Sequence, residues 1–419
     1  MKQKWFHKLP DVKRKDVFSI LLYLIALPIA AVYKRKRKHL WLFCEYGSEA
    51  RDNAYYLFEY VKKRQPQVDA VYAIDRRSTD LKRVKKLGET VHYGGLKHWV
   101  YYLTAEVNIS SQKGGKPNAA VCYFLEVVTG WLQNIRVFLQ HGIIKDDLPF
   151  LHYGQTRLSL FMCSTPQEYR FVQDSFGYPK DSVCLTGLCR YDQLVNTADG
   201  SCIAIMPTWR EWLYKTRKMK HVENTKDFLR TTFYRMWTGA LRQIVKDLEG
   251  TDIQVWVCLH RNMQVYNPYF REISDRIRVV ELEQDDVIEV LKQASCLITD
   301  YSSVAMDFAY LQKPLAYYQA DYEQFRKYHL PEGYFDYERD GFGQVCYSQE
   351  ELSDWLKEKK RTFFEQEDRY RKRIDDFFLF RDAQNCERNY RAIQSLLERK
   401  RKERQFNAAG QQETGTRRN

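Results

Sequence analysis

Short apolar runs alternate with amphipathic stretches from Leu40 onward. Leu40–Cys44, Asp69–Ile74, Glu106–Ser110, Ile135–Gln140, Ser159–Ser164 and Ser182–Leu185 read as strands. Between them, Ala54–Lys63, Leu81–Lys86, Leu96–Leu103 and Pro166–Phe176 read as helices, the first with Asp52 or Asn53 as its cap. Asn196–Ser201 is polar and turn-rich and interrupts the alternation. The pattern then restarts. Strands are predicted at Cys202–Thr208, Gln254–His260, Ile277–Glu281, Cys296–Thr299 and Leu315–Tyr318. Helices are predicted over about 224–247, Asp285–Ala294 and Ser303–Leu311, and helical pattern dominates from Gln349 to Lys400. Strands alternating with helices imply parallel sheets, and two such runs imply two doubly wound α/β domains facing a cleft. Ligands in such sheets bind beyond the carboxyl ends of the strands.

Ahead of this body, residues 17–33 carry no charge, while Lys13-Arg14-Lys15 precede them and Lys34 to Lys38 follow. Seventeen residues is the short limit for a spanning helix, and Pro28 interrupts it. Basic residues on both flanks leave the positive-inside rule undecided. A monotopic segment in the membrane interface is the favoured expectation, with a single span and a buried helix as alternatives. No small-residue cleavage site precedes the second basic run, so a cleavable signal peptide is not expected.

Charge sharpens this picture. The chain of 419 residues has 67 Lys/Arg against 54 Asp/Glu, a formal +13. Residues 1–38 account for +9 and residues 399–419 for +5, leaving the body at −1. A nearly neutral body argues against nucleic acid as a partner. The basic ends point to an anionic membrane surface, and Gln405–Asn419 is expected to be a disordered tail. The expected organisation is a membrane-associating segment at 1–39, a first Rossmann-like domain at 40–197, a second with closing helices at 198–398, and a basic tail at 399–419. The ten cysteines form no C-x-x-C pair and are expected to be free thiols.

The candidate chemistry lies at the strand ends. His141-Gly142 follows one strand, and an imidazole there suits a general base. Pro207-Thr208-Trp209-Arg210 follows another, with Arg210 suited to phosphate oxygens. A third leads to His260-Arg261, a donor for developing charge on a phosphoryl group. Thr299-Asp300-Tyr301-Ser302-Ser303 opens a helix start suited to an anion, with Asp307 one turn further on. No P-loop, HExxH or convincing metal cluster is present. Glu281 and Glu289 stand eight apart, a spacing read as chance.

These strand ends resemble the CDP-glycerol glycerophosphotransferase family, the teichoic acid primases and polymerases. The resemblance rests on Leu-Gln-His141-Gly142, Thr186-Gly187-x-x-Arg190-Tyr-Asp192, Pro207-Thr208-Trp209-Arg210, Leu259-His260, Thr299 to Ser303 with Asp307, Lys313-Pro314, Gly333-Tyr-Phe335-Asp-Tyr, and Asp382 with Asn385 to Arg388. It implies a GT-B-like fold and attack by an acceptor hydroxyl on the β-phosphorus of CDP-glycerol, releasing CMP. His141 would be the base. His260, Arg210 and the Ser302/Ser303 helix start would hold the pyrophosphate, with Gly142, Thr208, Thr299, Asp300 and Asp307 completing the substrate site. The acceptor would be a membrane-linked cell-wall or capsule polymer, reached at the cytoplasmic face of a bacterial membrane. Two departures stand out. Gln140-His141-Gly142-Ile143-Ile144 replaces a frequent Trp-His-Gly-Thr-Pro, and His260-Arg261 replaces His-Pro. Ribitol or another polyol as donor, the acceptor's identity and the help of a divalent cation stay open. So do a nucleotide-sugar glycosyltransferase and a non-catalytic membrane scaffold.

Overall fold

The computed structural model describes residues 13–210, 212–213, 225–328 and 331–415. Seven strands form the first sheet: β1 (Trp41–Cys44), β2 (Ala70–Ile74), β3 (Thr90–His92), β4 (Val107–Ser110), β5 (Arg136–Phe138), β6 (Leu160–Cys163) and β7 (Val183–Leu185), in the order β3-β2-β1-β4-β5-β6-β7. Six form the second: β8 (Cys202–Met206), β9 (Gln254–Val257), β10 (Ile277–Val279), β11 (Leu297–Thr299), β12 (Leu315–Tyr318) and β13 (Gln344–Cys346), in the order β10-β9-β8-β11-β12-β13. Every pairing is parallel. Both sheets reverse direction beside their first strand, the Rossmann order whose crevice lies at that switch. Helices cover both faces of each sheet, which is why strands such as β1, β2 and β8 are buried at every position.

The short edge strands β3 and β13 escaped the sequence pattern, as did short helices such as Ala119–Tyr123 and Tyr322–Tyr328, because so few residues hold little period. The helical region expected from 224 to 247 is two helices, Thr225–Leu229 and Thr232–Asp247, and residue 224 lies outside the described residues. Thr231 separates them by capping the second, its hydroxyl oxygen accepting the Tyr234 amide.

The largest correction concerns the carboxyl end. The helix Asp368–Phe377 completes the second domain, with Ile374 and Phe377 in its core. The chain then returns. The closing helix Asn385–Gly415 packs Cys386, Ile393, Leu396 and Leu397 into the first domain's core with Trp41 and Phe58. Asp192 caps it, accepting the amides of Asn385 and Cys386 at 2.8 Å each. The helix also runs through the stretch expected to be a disordered tail, as far as Gly415, and residues 416–419 lie outside the described residues. Arg401 near its end is paired with Glu106.

Of the N-terminal segment, residues 1–12 lie outside the described residues, and Arg14–Lys36 is one helix, α1, continuous through Pro28. By length and composition α1 could cross a membrane. One face, however, is docked on the helix Leu96–Thr104. Ala26 and Ala30 are buried, Tyr23 meets Trp99 edge-on at 5.4 Å, and the Trp99 indole donates to Ser19 Oγ at 3.1 Å. The other face exposes Val17, Phe18, Leu21, Leu24, Ile25 and Val32.

Candidate active site

The site is built from loops at the carboxyl ends of both sheets. Glu45 follows β1 and is fully buried. Its carboxylate accepts the amides of Arg51, Asp52 and Tyr55 at 3.0, 3.1 and 2.9 Å, which holds the loop entering α2 (Asn53–Arg64). Burial, and then the charge of Asp52, push this carboxyl well above the usual carboxylate range.

Asp52, held in this way, caps α2 through Oδ1 and turns Oδ2 toward His141, whose Nδ1 lies 2.6 Å away. With the Nδ1 proton facing a carboxylate, Nε2 keeps its lone pair and becomes the basic atom. Burial among the surrounding loops pulls the His141 pKa down, but the charge and hydrogen bond of Asp52 outweigh it, so the value is raised above the usual 6.5. The side chain is 68% exposed to the cleft, so water moderates this field. Gln140 fixes the backbone before it. Its φ of 69° lies in the left-handed region, its side chain donates to Glu168 at 2.8 Å, and its carbonyl accepts from Asn53 at 2.8 Å.

Arg190 ties this base to the second domain. Its guanidinium, 5% exposed, donates to Asp52 Oδ1 at 3.1 Å and to the His141 carbonyl at 2.8 Å. Its other nitrogen meets both oxygens of Asp307, at 2.7 and 2.9 Å. Gly142 lies at a close approach of the two domains, because a Cβ there would lie 2.9 Å from Ser303 Oγ. His141 therefore stands beside the Ser302-Ser303 turn that precedes the helix Val304–Tyr310.

The second domain splits the expected residues into two groups. Arg210 does not reach the cleft. It is 0% exposed, donates to Asp300, to both oxygens of Asp321 and to the Thr208 carbonyl, and lies near 5 Å from the Tyr301 and Phe325 rings. The long arm and five donors that suit phosphate also suit two buried carboxylates, and the sequence cannot separate the two uses. Asp300 is equally buried and accepts the amides of Thr208 and Tyr301 at 2.8 and 2.6 Å. Thr299 Oγ1 donates to the Met206 carbonyl at 2.6 Å. These three residues bracket β8 to β11 and are enclosed, as is Asp307 against Arg190.

Thr208, Ser302 and Ser303 remain half-buried at the cleft. The Thr208 hydroxyl has no hydrogen-bond partner, and the Ser303 side chain does not cap its helix. His260 is exposed. Its Nδ1 accepts the Asn262 amide at 3.2 Å and its ring stacks on Trp209 at 5.8 Å, so Nε2 carries the proton in the neutral ring. Arg261 reaches over to Ser48 Oγ at 3.2 Å and pairs with Glu49, a second link between the domains. Glu281 and Glu289 are taken up by Arg271 and Lys292. Among the described residues no three His, Cys, Asp or Glu groups could hold a metal ion.

Asp52 was read only as a helix cap, and Glu45 and Gln112 carried no signal in the sequence. Arg190 lay inside a matching motif without a role. The contacts that join Asp52 to His141 and to Arg190 span 89 and 138 positions.

Residues 26–395 match the model of the family described as CDP-Glycerol:Poly(glycerophosphate) glycerophosphotransferase. The minor teichoic acid biosynthesis protein GgaB of Bacillus subtilis (strain 168) is 29% identical over 94% of this chain, which spans 44% of that relative's length. A teichoic acid poly(glycerol phosphate) polymerase of Bacillus spizizenii is 23% identical over 81% of this chain and 88% of its own. The solved wall teichoic acid polymerase TagF superposes with a TM-score of 0.61 at 16% identity, over 94% of this chain and 99% of that one, a likeness of fold.

Proposed function

The chain belongs to the CDP-glycerol:poly(glycerophosphate) glycerophosphotransferase family, and on that premise we propose that it transfers a polyol phosphate, glycerol phosphate foremost, from a CDP-activated donor to a hydroxyl of a cell-wall polymer. One observation carries this reading: an imidazole held at Nδ1 by Asp52 is followed directly by Gly142, which abuts Ser303 in the hydroxyl-bearing turn of the opposite domain.

The donor's pyrophosphate lies between Ser302, Ser303, Thr208 and His260 Nε2–H, while Thr299, Asp300 and Arg210 keep their loops in place. His141 Nε2 takes the proton of the acceptor hydroxyl as its oxygen bonds to the β-phosphorus. The bond from that phosphorus to the bridging oxygen breaks, the electron pair leaves with CMP, and a phosphodiester remains. Such transfers depend on positioning and charge stabilisation, which the cleft supplies through fixed donors.

The acceptor is lipid-linked, and α1 lies in the membrane interface at the cytoplasmic face. Its docked face holds it against the protein, and the opposite apolar stripe, with Lys34 to Lys36 beyond it, suits an anionic surface.

The test is incubation with CDP-glycerol or CDP-ribitol and a lipid-linked acceptor, read by product mass and CMP release. His141→Ala lowers turnover by roughly 10²–10⁴-fold. Full CMP release by that variant, or release of UDP from a sugar donor in its place, defeats the reading.

A further inference from the structure

The loop from β1 to α2 serves more than the base. Its Gly47 carbonyl accepts the Asp75 amide at 2.7 Å, and its Ser48 carbonyl accepts the Ser78 hydroxyl at 2.7 Å. The Ala50 amide donates to Asp80 at 3.0 Å, and the Arg51 side chain pairs with the same carboxylate at 2.8 Å. Glu45 binds the backbone beyond, so residues 45–52 form a fixed platform. Asp52 ends that platform. Its Oδ2, which holds His141, also accepts from Gln112 Nε2 at 3.2 Å.

Two arginines cross between this platform and the second domain. Arg51 reaches outward and donates to the Asp285 carbonyl at 2.6 Å. Arg261 reaches inward. It donates to Ser48 Oγ at 3.2 Å, pairs with Glu49, and stands 5.9 Å from the centre of the Tyr46 ring. Arg261 directly follows His260. The turn Arg261–Tyr266 is capped by His260 Nδ1 and buries Met263 and Tyr266 in the second domain's core. His260 is thus fixed within its own domain, and its neighbour fixes that turn against the other.

Glu49 is placed to receive this arginine. Its side chain is 23% exposed, against 44% for Arg261, so the pair is only partly screened by water. Burial pushes the Glu49 carboxyl above its ordinary value, and the charge of Arg261 is the strongest influence drawing it back. His141 also draws it down, which sets the pair within electrostatic reach of the base.

We propose that Glu49 and Arg261 are positioning residues for the transfer: their pairing seats the His260 turn on the platform that carries Asp52, and so fixes the spacing of the two imidazoles across the cleft. The proposal rests on the transferase reading above. Neither residue touches the reacting atoms. Arg261 acts through His260, which meets the donor, and Glu49 through the loop that holds the base.

CMP release is followed in Arg261→Met, Glu49→Gln and the double variant. Each single change lowers kcat about fivefold, the scale of one partly exposed ion pair, and leaves the donor KM and the thermal midpoint near native. The double variant loses no more than either single one, and Arg261→Lys keeps most of the rate. Amide hydrogen exchange supplies a readout without turnover: Arg261→Met speeds exchange in residues 47–52 and 261–264 together. Unchanged kcat, single losses that multiply in the double variant, or a rise in donor KM confined to Arg261→Met overturns the proposal, the last by making Arg261 a ligand of the donor. If no CDP-polyol yields CMP but Arg261→Met still speeds exchange in both segments, the transferase reading falls and the clasp between the loops stands. If CMP is released and neither kcat nor exchange responds, the clasp falls alone.

Discussion

Arg190 and Asp307 meet through both carboxylate oxygens, at 2.7 and 2.9 Å, across the boundary between the two domains. The same guanidinium holds Asp52 and the His141 carbonyl, so one side chain links the imidazole's support to the second domain. Arg190→Ala leaves Asp52 and Asp307 buried without their cation. The expected loss is about 3–5 kcal/mol of stability, read as a lower urea midpoint, together with lost CMP release. An unchanged midpoint would disprove the bridge.

Asp52→Asn tests the dyad through pH. Asp52 stabilises the imidazolium and so raises the His141 pKa. Turnover needs the neutral ring, so the acid limb of kcat/KM lies above pH 6.5 in the native chain. Without that charge the largest raising influence is gone and the limb moves to lower pH. The plateau falls roughly tenfold or more as the ring loses its orientation. A limb that stays in place assigns the titration to another group.

Gly142→Val addresses the contact with Ser303. A β-carbon already meets Oγ at 2.9 Å, and a branched side chain forces the two loops apart. Donor KM is expected to rise with little change in the thermal midpoint. Gly142→Ala displaces only a rotatable hydroxyl and has the smaller effect.

Arg210→Ala separates a structural cation from a ligand. It strands Asp300 and Asp321 in the core, at about 3–5 kcal/mol. Arg210→Met combined with Asp321→Asn recovers part of that stability. In the folded fraction of the double variant, donor KM stays near the native value, and a large rise would return Arg210 to the phosphate.

The membrane reading has a sharper test than deletion. Removing residues 1–38 uncovers the apolar face around Trp99 and Tyr101 and favours aggregation. Leu21→Glu with Ile25→Glu changes only the exposed stripe. This pair is expected to move the chain from anionic vesicles to the supernatant with its fold intact, as followed by sedimentation and circular dichroism.

The alternation of apolar runs and amphipathic stretches was enough to predict two parallel α/β domains, because burial on both faces of a sheet imposes a local pattern. His141, His260 and the Ser302-Ser303 turn were legible for the same reason: each directly follows a strand. Which polar strand-end groups face the cleft was not legible. Arg210 and Asp300 are enclosed, while Asp52 and Arg190 govern the base, because those outcomes depend on partners far along the chain. The return of the closing helix to the first domain and the docking of α1 have the same origin. An apolar stripe states that a face must be covered, and only the assembled tertiary structure decides what covers it.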